Sequence, residues 1–347
     1  MTEENVMKLR YANILLLILA GVTLSWGPAE GEIIKKGQVG FRFLESPVSA
    51  EAVGRGGLGL TLFRNSNAVF WNPAGAAWTD GTLDFNLNYT SGIADINNSS
   101  VVGAVKFKQF FFGLSFMSVD YGELQGTMRA DNDQGFIDTG TFSPQANAFG
   151  LTVSQRVSDR FSYGVNIKSA FQDLGDAAIA TAGTDVDDPA FEFKEKNYSK
   201  RVAAFDVGAI YDFLAYGFRF GAAMQNVSKE IKYEEEKFPL PYAVSFSLAF
   251  SPLSFLDTAL NPNALTVGIE TRHPRDFKER VKFGAEYSFQ DLAIFRLGYM
   301  GNYDERGLTF GLGLRQEYFN SQLRIDYAYQ DFGIFNAVHV ITFGVTR

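Results

Sequence analysis

The stretch YAVSFSLAF, residues 242–250, alternates without a break. Tyr242, Val244, Phe246, Leu248 and Phe250 fall on one side of an extended chain. Ala243, Ser245, Ser247 and Ala249 fall on the other. A period of two is the signature of a strand, and here one face is large and apolar while the other is small and polar. The pattern recurs in FFFGLSFMS, 110–118, where Phe111 alone breaks the rule. It recurs at 203–213, with Phe205, Val207, Tyr211 and Phe213 opposite Asp206, Gly208 and Asp212. It recurs again at 308–315, with Leu308, Phe310, Leu312 and Leu314 opposite Thr309, Gly311, Gly313 and Arg315. Each run has about the 9–11 residues that carry a tilted strand across a bilayer.

Runs of this kind are predicted near 83–89, 101–107, 110–119, 147–156, 160–171, 201–213 and 217–226. Seven more follow near 240–251, 263–271, 279–289, 292–300, 306–316, 318–330 and 336–346. The total is fourteen, an even number. The links after the second, fourth, sixth, tenth and twelfth runs are very short, the last being Glu317 alone. Those after the third, fifth and seventh (120–146, 172–200 and 227–239) are long. The link PLSFLDTALNPN breaks this alternation. Sorting of loop length by parity is expected of a bacterial membrane barrel, with short periplasmic turns and long outer loops. A soluble sandwich or propeller, the alternative all-β reading, has no reason to sort its loops. The predicted fold is all-β: a 14-stranded antiparallel transmembrane β-barrel.

Composition agrees. The 347 residues include 34 Phe, 15 Tyr and 34 Gly, no Cys and only two His, His273 and His339. Without Cys there are no disulfides, no thiol chemistry and no thiolate metal sites. A net charge of −8 lacks the basic footprint of a nucleic-acid binder. Mean hydropathy is −0.05, as expected where lumen-facing residues dilute lipid-facing ones. At the front, Lys8 and Arg10 precede the apolar run Ile14 to Leu24, and small residues follow in GPAEG. This reads as a signal peptide over 1–31, with an uncleaved anchor helix as the alternative. The expected organisation is 1–31 signal peptide, 32–82 N-terminal plug segment and 83–347 barrel.

The polar face of the strands carries Lys168, Asp206, Asp212, Glu270, Lys282, Glu286, Arg296, Arg315, Arg324 and Asp326. Buried in a lumen, such groups are costly unless paired or wet. They read either as an interior salt-bridge lattice or as a path for a substrate. Asp206 with Asp212, or Glu270 with Glu286, offers paired carboxylates, but no nucleophile or His sits at a supporting spacing. His273 falls in an outer loop beside Pro274 and His339 in the last strand. No enzyme activity and no cofactor is expected. The stretch ADNDQG, 130–135, has part of a calcium-loop spacing but lacks the distal Glu, and reads as a solvated acidic loop.

One stretch, NAVFWNPAGAAW, 67–78, does not alternate. Asn72 is a good N-cap, and Pro73 fits the first helical position. The expected element is a turn of helix over 73–78, too short to stand alone. Inside a barrel it has walls: Phe70, Trp71 and Trp78 would pack on the inner face, and Gly54 to Gly59 would let the backbone pass close. The alternative is a cap on the periplasmic rim.

The segment GRGGLGLTLFRNSNAVFWNPAGAA, 54–77, resembles the N-terminal segment of PorV/PorQ family outer-membrane proteins, part of the wider FadL-like barrel group. Trp71, Asn72, Pro73, Ala74 and Gly75 match a WNPAG motif, with Ala76 where Leu is common. Further similarity lies in 225–250, 272–289, 295–314 and 325–345. The resemblance implies a 14-strand barrel, plugged from its N-terminus, in the outer membrane of a Gram-negative-type bacterium. It implies an accessory role in type IX-like protein secretion or surface attachment, binding a secreted cargo protein or a secretion-machine component. The FadL-type alternative is transport of long-chain fatty acids or other hydrophobic small molecules. Outer-membrane lipid is a partner on either reading. One departure is Arg347 at the last position, where such barrels often carry an aromatic residue.

Overall fold

The computed structural model describes residues 37–183, 186–256 and 261–347. The signal-peptide reading of 1–31 therefore lies outside the described residues. The strands are β1 (Leu83–Ser91), β2 (Asn97–Phe107), β3 (Phe110–Asp120), β4 (Leu124–Arg129), β5 (Phe136–Phe142) and β6 (Gln145–Arg156). Then come β7 (Phe161–Ala182), β8 (Glu192–Asp212), β9 (Arg219–Ser228), β10 (Ile231–Lys232), β11 (Lys237–Phe238) and β12 (Ala243–Phe250). The last six are β13 (Leu265–Pro274), β14 (Arg280–Phe289), β15 (Ala293–Gly301), β16 (Leu308–Tyr318), β17 (Ser321–Asp331) and β18 (Ala337–Thr346). Fourteen of them close one antiparallel barrel, and the pairs β4–β5 and β10–β11 form separate hairpins. Closure is made by β1 on β18, from Asp84↔Thr346 to Ser91↔His339.

The side-chain period explains the closure. Phe85, Leu87 and Tyr89 on β1 are 40–46% exposed, while Asp84 and Asn86 beside them are fully buried. Large apolar residues point outward around the whole circuit, as with Phe112, Leu114 and Phe116 or Phe310, Leu312 and Leu314. A belt of that extent belongs against hydrocarbon rather than water. A closed ladder also leaves no unpaired strand edge, the condition for a sheet in such a medium.

Five local readings are corrected. The 172–200 link is mostly strand: β7 and β8 run on as a long hairpin, paired from Asp173↔Ser199 to Ala182↔Glu192. Its residues are largely exposed on both faces, so no polarity contrast marks it in the sequence. The links 120–146 and 227–239 likewise contain the hairpins β4–β5 and β10–β11. The turn read at Glu317 falls at Phe319-Asn320, both at positive φ, because β16 continues to Tyr318. His273 lies within β13 and pairs with Val244, not in a loop.

Phe111, the apparent exception, is 2% exposed and packs in the lumen against Val69 and Val102. It obeys the period, pointing inward where the lumen has apolar filling.

Candidate functional site

The lumen is occupied by residues 37–82, which run from the long-loop mouth to the short-turn mouth. At the long-loop mouth Gly40 N–H donates to Pro239 C=O at 3.1 Å. Phe41 and Phe43 pack with Val119, Ala146, Ala170 and Leu240. Helix α1 (Ala50–Gly54) lies against β15–β18, its Ala50 N–H donating to Thr342 Oγ1 at 2.8 Å. Further down, Gly59 and Leu60 donate to Glu270 Oε2, and Arg219 donates to the carbonyl of Thr61. Near the short-turn mouth Ser66 donates to Asp84 Oδ1, and the chain joins β1 where Thr82 N–H meets the Arg347 carbonyl.

Glycine permits the close passage. A Cβ on Gly298 of the wall would fall 2.0 Å from the Gly56 nitrogen. Gly56 itself has φ +70 and its Cβ would lie 2.6 Å from the Phe283 carbonyl. Any side chain at either place pushes segment and wall apart.

Pro73–Trp78 is a 3-10 helix, with Asn72 as its N-cap: Oδ1 accepts from Ala74 N–H at 3.1 Å. The same side chain turns its Nδ2 toward the carbonyls of Leu60, Ala209 and Ala222. Asn72 thus ties its own turn, another loop of the segment and two wall strands. Ser154 and Ser162 donate to the carbonyls of Pro73 and Ala74. Trp78 Nε1–H donates to Ser162 Oγ at 2.7 Å, and its ring centre lies 4.1 Å from the guanidinium carbon of Arg156 and 4.7 Å from that of Arg219. Trp71 lies over Gly59 and faces Lys282 at 5.2 Å. Phe70 lends its carbonyl to Gln225. Gly75 faces Ala68 and Ile210.

The lumen charges form separate clusters. Lys168 pairs with Asp206 at 2.9 Å, Asp212 with Arg219 at 2.9 Å and Lys282 with Glu270 at 2.7 Å. Arg296 meets both Glu286 and Asp326 at 2.6 Å, and Arg324 meets Asp84 at 2.8 Å. Arg315 makes no direct ion pair among the described residues. Neither suggested carboxylate pair comes together: each acid is tied to its own cation. Sequence reasoning missed the partners on the segment itself. Arg55 reaches Glu286 at 2.8 Å, Glu45 reaches Arg272 at 2.7 Å, and Arg42 reaches Asp276 at 2.7 Å. The available signal was the presence of charges in a Gly-rich apolar stretch. The acidic stretch 130–135 folds as a turn, with Asn132 Oδ1 accepting from Gln134 and Gly135. Among the described residues no three potential ligands converge on a metal position.

Beside the segment, in the half of the lumen toward the long-loop mouth, lies a cavity of about 570 Å³. Gly57, Phe70 and Trp71 lie at its base; Phe43, Leu44, Val48, Met117 and Val119 supply apolar wall; Tyr303, Arg306 and Phe332 reach it from the loops. Glu45 stands at its edge. Burial raises the carboxyl's pKa, but Arg272 and Arg42 more than offset this, so Glu45 is held below the ordinary glutamate value.

No protein-family model matches the chain, and no curated protein matches it. Solved structures do. The Ralstonia pickettii toluene transporter TbuX aligns at 13% identity, covering 85% of this chain and 96% of its own, with a TM-score of 0.57. The Pseudomonas putida toluene transporter TodX aligns at 10% identity over 86% and 96%, with a TM-score of 0.56. A Pseudomonas aeruginosa FadL homologue aligns at 14% identity over 86% and 97%, with a TM-score of 0.51. At these identities the likeness is one of fold: a FadL-like 14-strand barrel.

Proposed function

We propose that this chain is an outer-membrane barrel that carries a hydrophobic small molecule, with residues 37–82 as its plug. The cavity carries the reading. It is within the roughly 300–1,000 Å³ range of small-molecule sites, and apolar side chains make up much of its wall. The plug lies between it and the short-turn mouth, so a bound molecule meets a barrier there rather than open water. The outward apolar belt supports a membrane setting. Short turns are periplasmic in bacterial barrels, which sets the cavity toward the cell exterior. The solved neighbours named as transporters support the same class through fold. On this reading the buried ion pairs act as the lattice that holds the plug to the wall.

The PorV/PorQ-type role, with a cargo protein or secretion component bound at the rim, rests on motif order alone. Deleting the gene separates the two. Uptake of labelled hydrophobic solutes is expected to fall while the surface proteome stays unchanged. Loss of surface-attached proteins with uptake intact overturns the carrier reading.

A further inference from the structure

The cavity's rim carries an alternating ladder of guanidiniums and rings drawn from four separate places in the chain. The Phe277 ring centre lies 5.0 Å from the Arg42 guanidinium carbon and 4.2 Å from that of Arg280. Tyr303 lies 4.3 Å from Arg280 and 5.6 Å from Arg306, and Phe332 lies 4.9 Å from Arg306. All are within the reach of cation–π attraction.

The arginines differ in their charge partners. Arg42 is answered by Glu45 at 3.0 Å and Asp276 at 2.7 Å. Arg272 behind it is answered by Glu45. Arg280 and Arg306 make no ion pair and no side-chain hydrogen bond among the described residues, and Arg280 Nε is buried without a partner. Asp304 and Glu305 also border the cavity, but their side chains are exposed to water. Burial lowers the pKa of Arg306, and the charges of Arg280 and Arg42 push the same way against Tyr303 and Glu45. Two cations thus repel one another at a partly dry rim with their donors unused.

We propose that this rim binds an aromatic carboxylate, its carboxylate held by Arg280 and Arg306 and its ring lying in the cavity. The guanidinium carbons of Arg280 and Arg306 lie over ring faces, and no side-chain acceptor meets their N–H groups among the described residues; a guanidinium with free N–H groups donates paired hydrogen bonds to a carboxylate. A ring attached to that carboxylate continues the ladder's alternation and then meets the apolar wall at Phe43. A neutral hydrocarbon engages the wall but leaves both cations unanswered. The inference rests on the carrier reading and adds charge to it.

The test is direct binding to the full chain in lipid nanodiscs, by calorimetry, with benzoate, toluene and acetate as probes. Benzoate is expected to bind at least tenfold more tightly than either toluene or acetate. The double substitution Arg280→Gln and Arg306→Gln is expected to remove that advantage and leave toluene unchanged, with folding checked by heat-modifiable gel migration. If the double variant fails to fold, the wild-type ranking and its weakening by salt decide alone. Toluene binding as well as benzoate, or benzoate insensitive to the substitutions, overturns this inference and leaves the carrier reading standing. No binding of either aromatic probe overturns both.

Discussion

Arg55 of the N-terminal segment, the proposed plug, and Glu286 of the barrel wall meet at 2.8 Å, with side chains 2% and 19% exposed, across 231 residues of sequence. The same carboxylate oxygen accepts from Arg296, which also reaches Asp326. Glu51 of the plug lies 3.9 Å from Arg296. Plug and wall therefore share one buried cluster, with Arg296 at its centre.

That arrangement ranks two substitutions. Arg296→Leu strips Asp326 of its ion-pair partner and leaves Glu286 with Arg55 alone. A loss of about 3–5 kcal/mol is expected, the usual consequence of uncompensated buried charge. Arg55→Leu costs less, because Glu286 keeps Arg296. Urea unfolding in micelles measures both, and the reverse order contradicts the assignment.

Gly298→Ala tests the plug's fit without touching charge. Its Cβ would meet the plug backbone at Gly56, 2.0 Å away. The wall strand accepts alanine readily, so the plug must move. Single-barrel conductance in a planar bilayer is expected to rise severalfold with gel migration of the folded form unchanged. An unaltered conductance would show that the lumen is not sealed at this point.

Asn72→Ala removes the cap of the 73–78 turn and frees three carbonyls that its amide faces. Loss of such a cap costs about 0.5–2 kcal/mol. Amide exchange in 73–78 is expected to quicken by roughly tenfold, since about 1.4 kcal/mol is a factor of ten. Exchange in β16–β18, far from Asn72, stays slow.

The outer end of the plug has an acid window. The folded pKa of Glu45 lies below the ordinary glutamate value. Its contribution is therefore fully present above that value and is lost as pH falls through the lower, folded one. Proteolysis near Arg42–Glu45 is expected to be flat from pH 7 to about 5 and to rise only below about 4. Glu45→Gln should remove most of that rise.

Much of the fold was legible in the sequence, and the reason is physical. Hydrocarbon outside and a packed polar lumen inside force a contrast between successive residues, so YAVSFSLAF can be read at sight. Where both faces of a strand meet water the contrast disappears, and the ends of β7 and β8 around Asp176 and Lys196 read as loop. The turn at Phe319-Asn320 was misplaced for the same reason, because Gln316 to Tyr318 are all exposed. Asn72 and Pro73 could be recognised because capping is local. The arginine–aromatic ladder could not, because Arg42, Arg280 and Arg306 come from separate segments and only closure of the barrel brings them to one rim.

The most direct measurement is mass spectrometry of the barrel purified intact from its native membrane. One hydrophobic or amphipathic small molecule per barrel is expected, released on unfolding. It should be absent from a Met117→Trp variant, whose added ring would fill the cavity from its β3 wall. An empty wild-type barrel, recovered in stoichiometric complex with a secreted protein or secretion-machine component, would contradict the account.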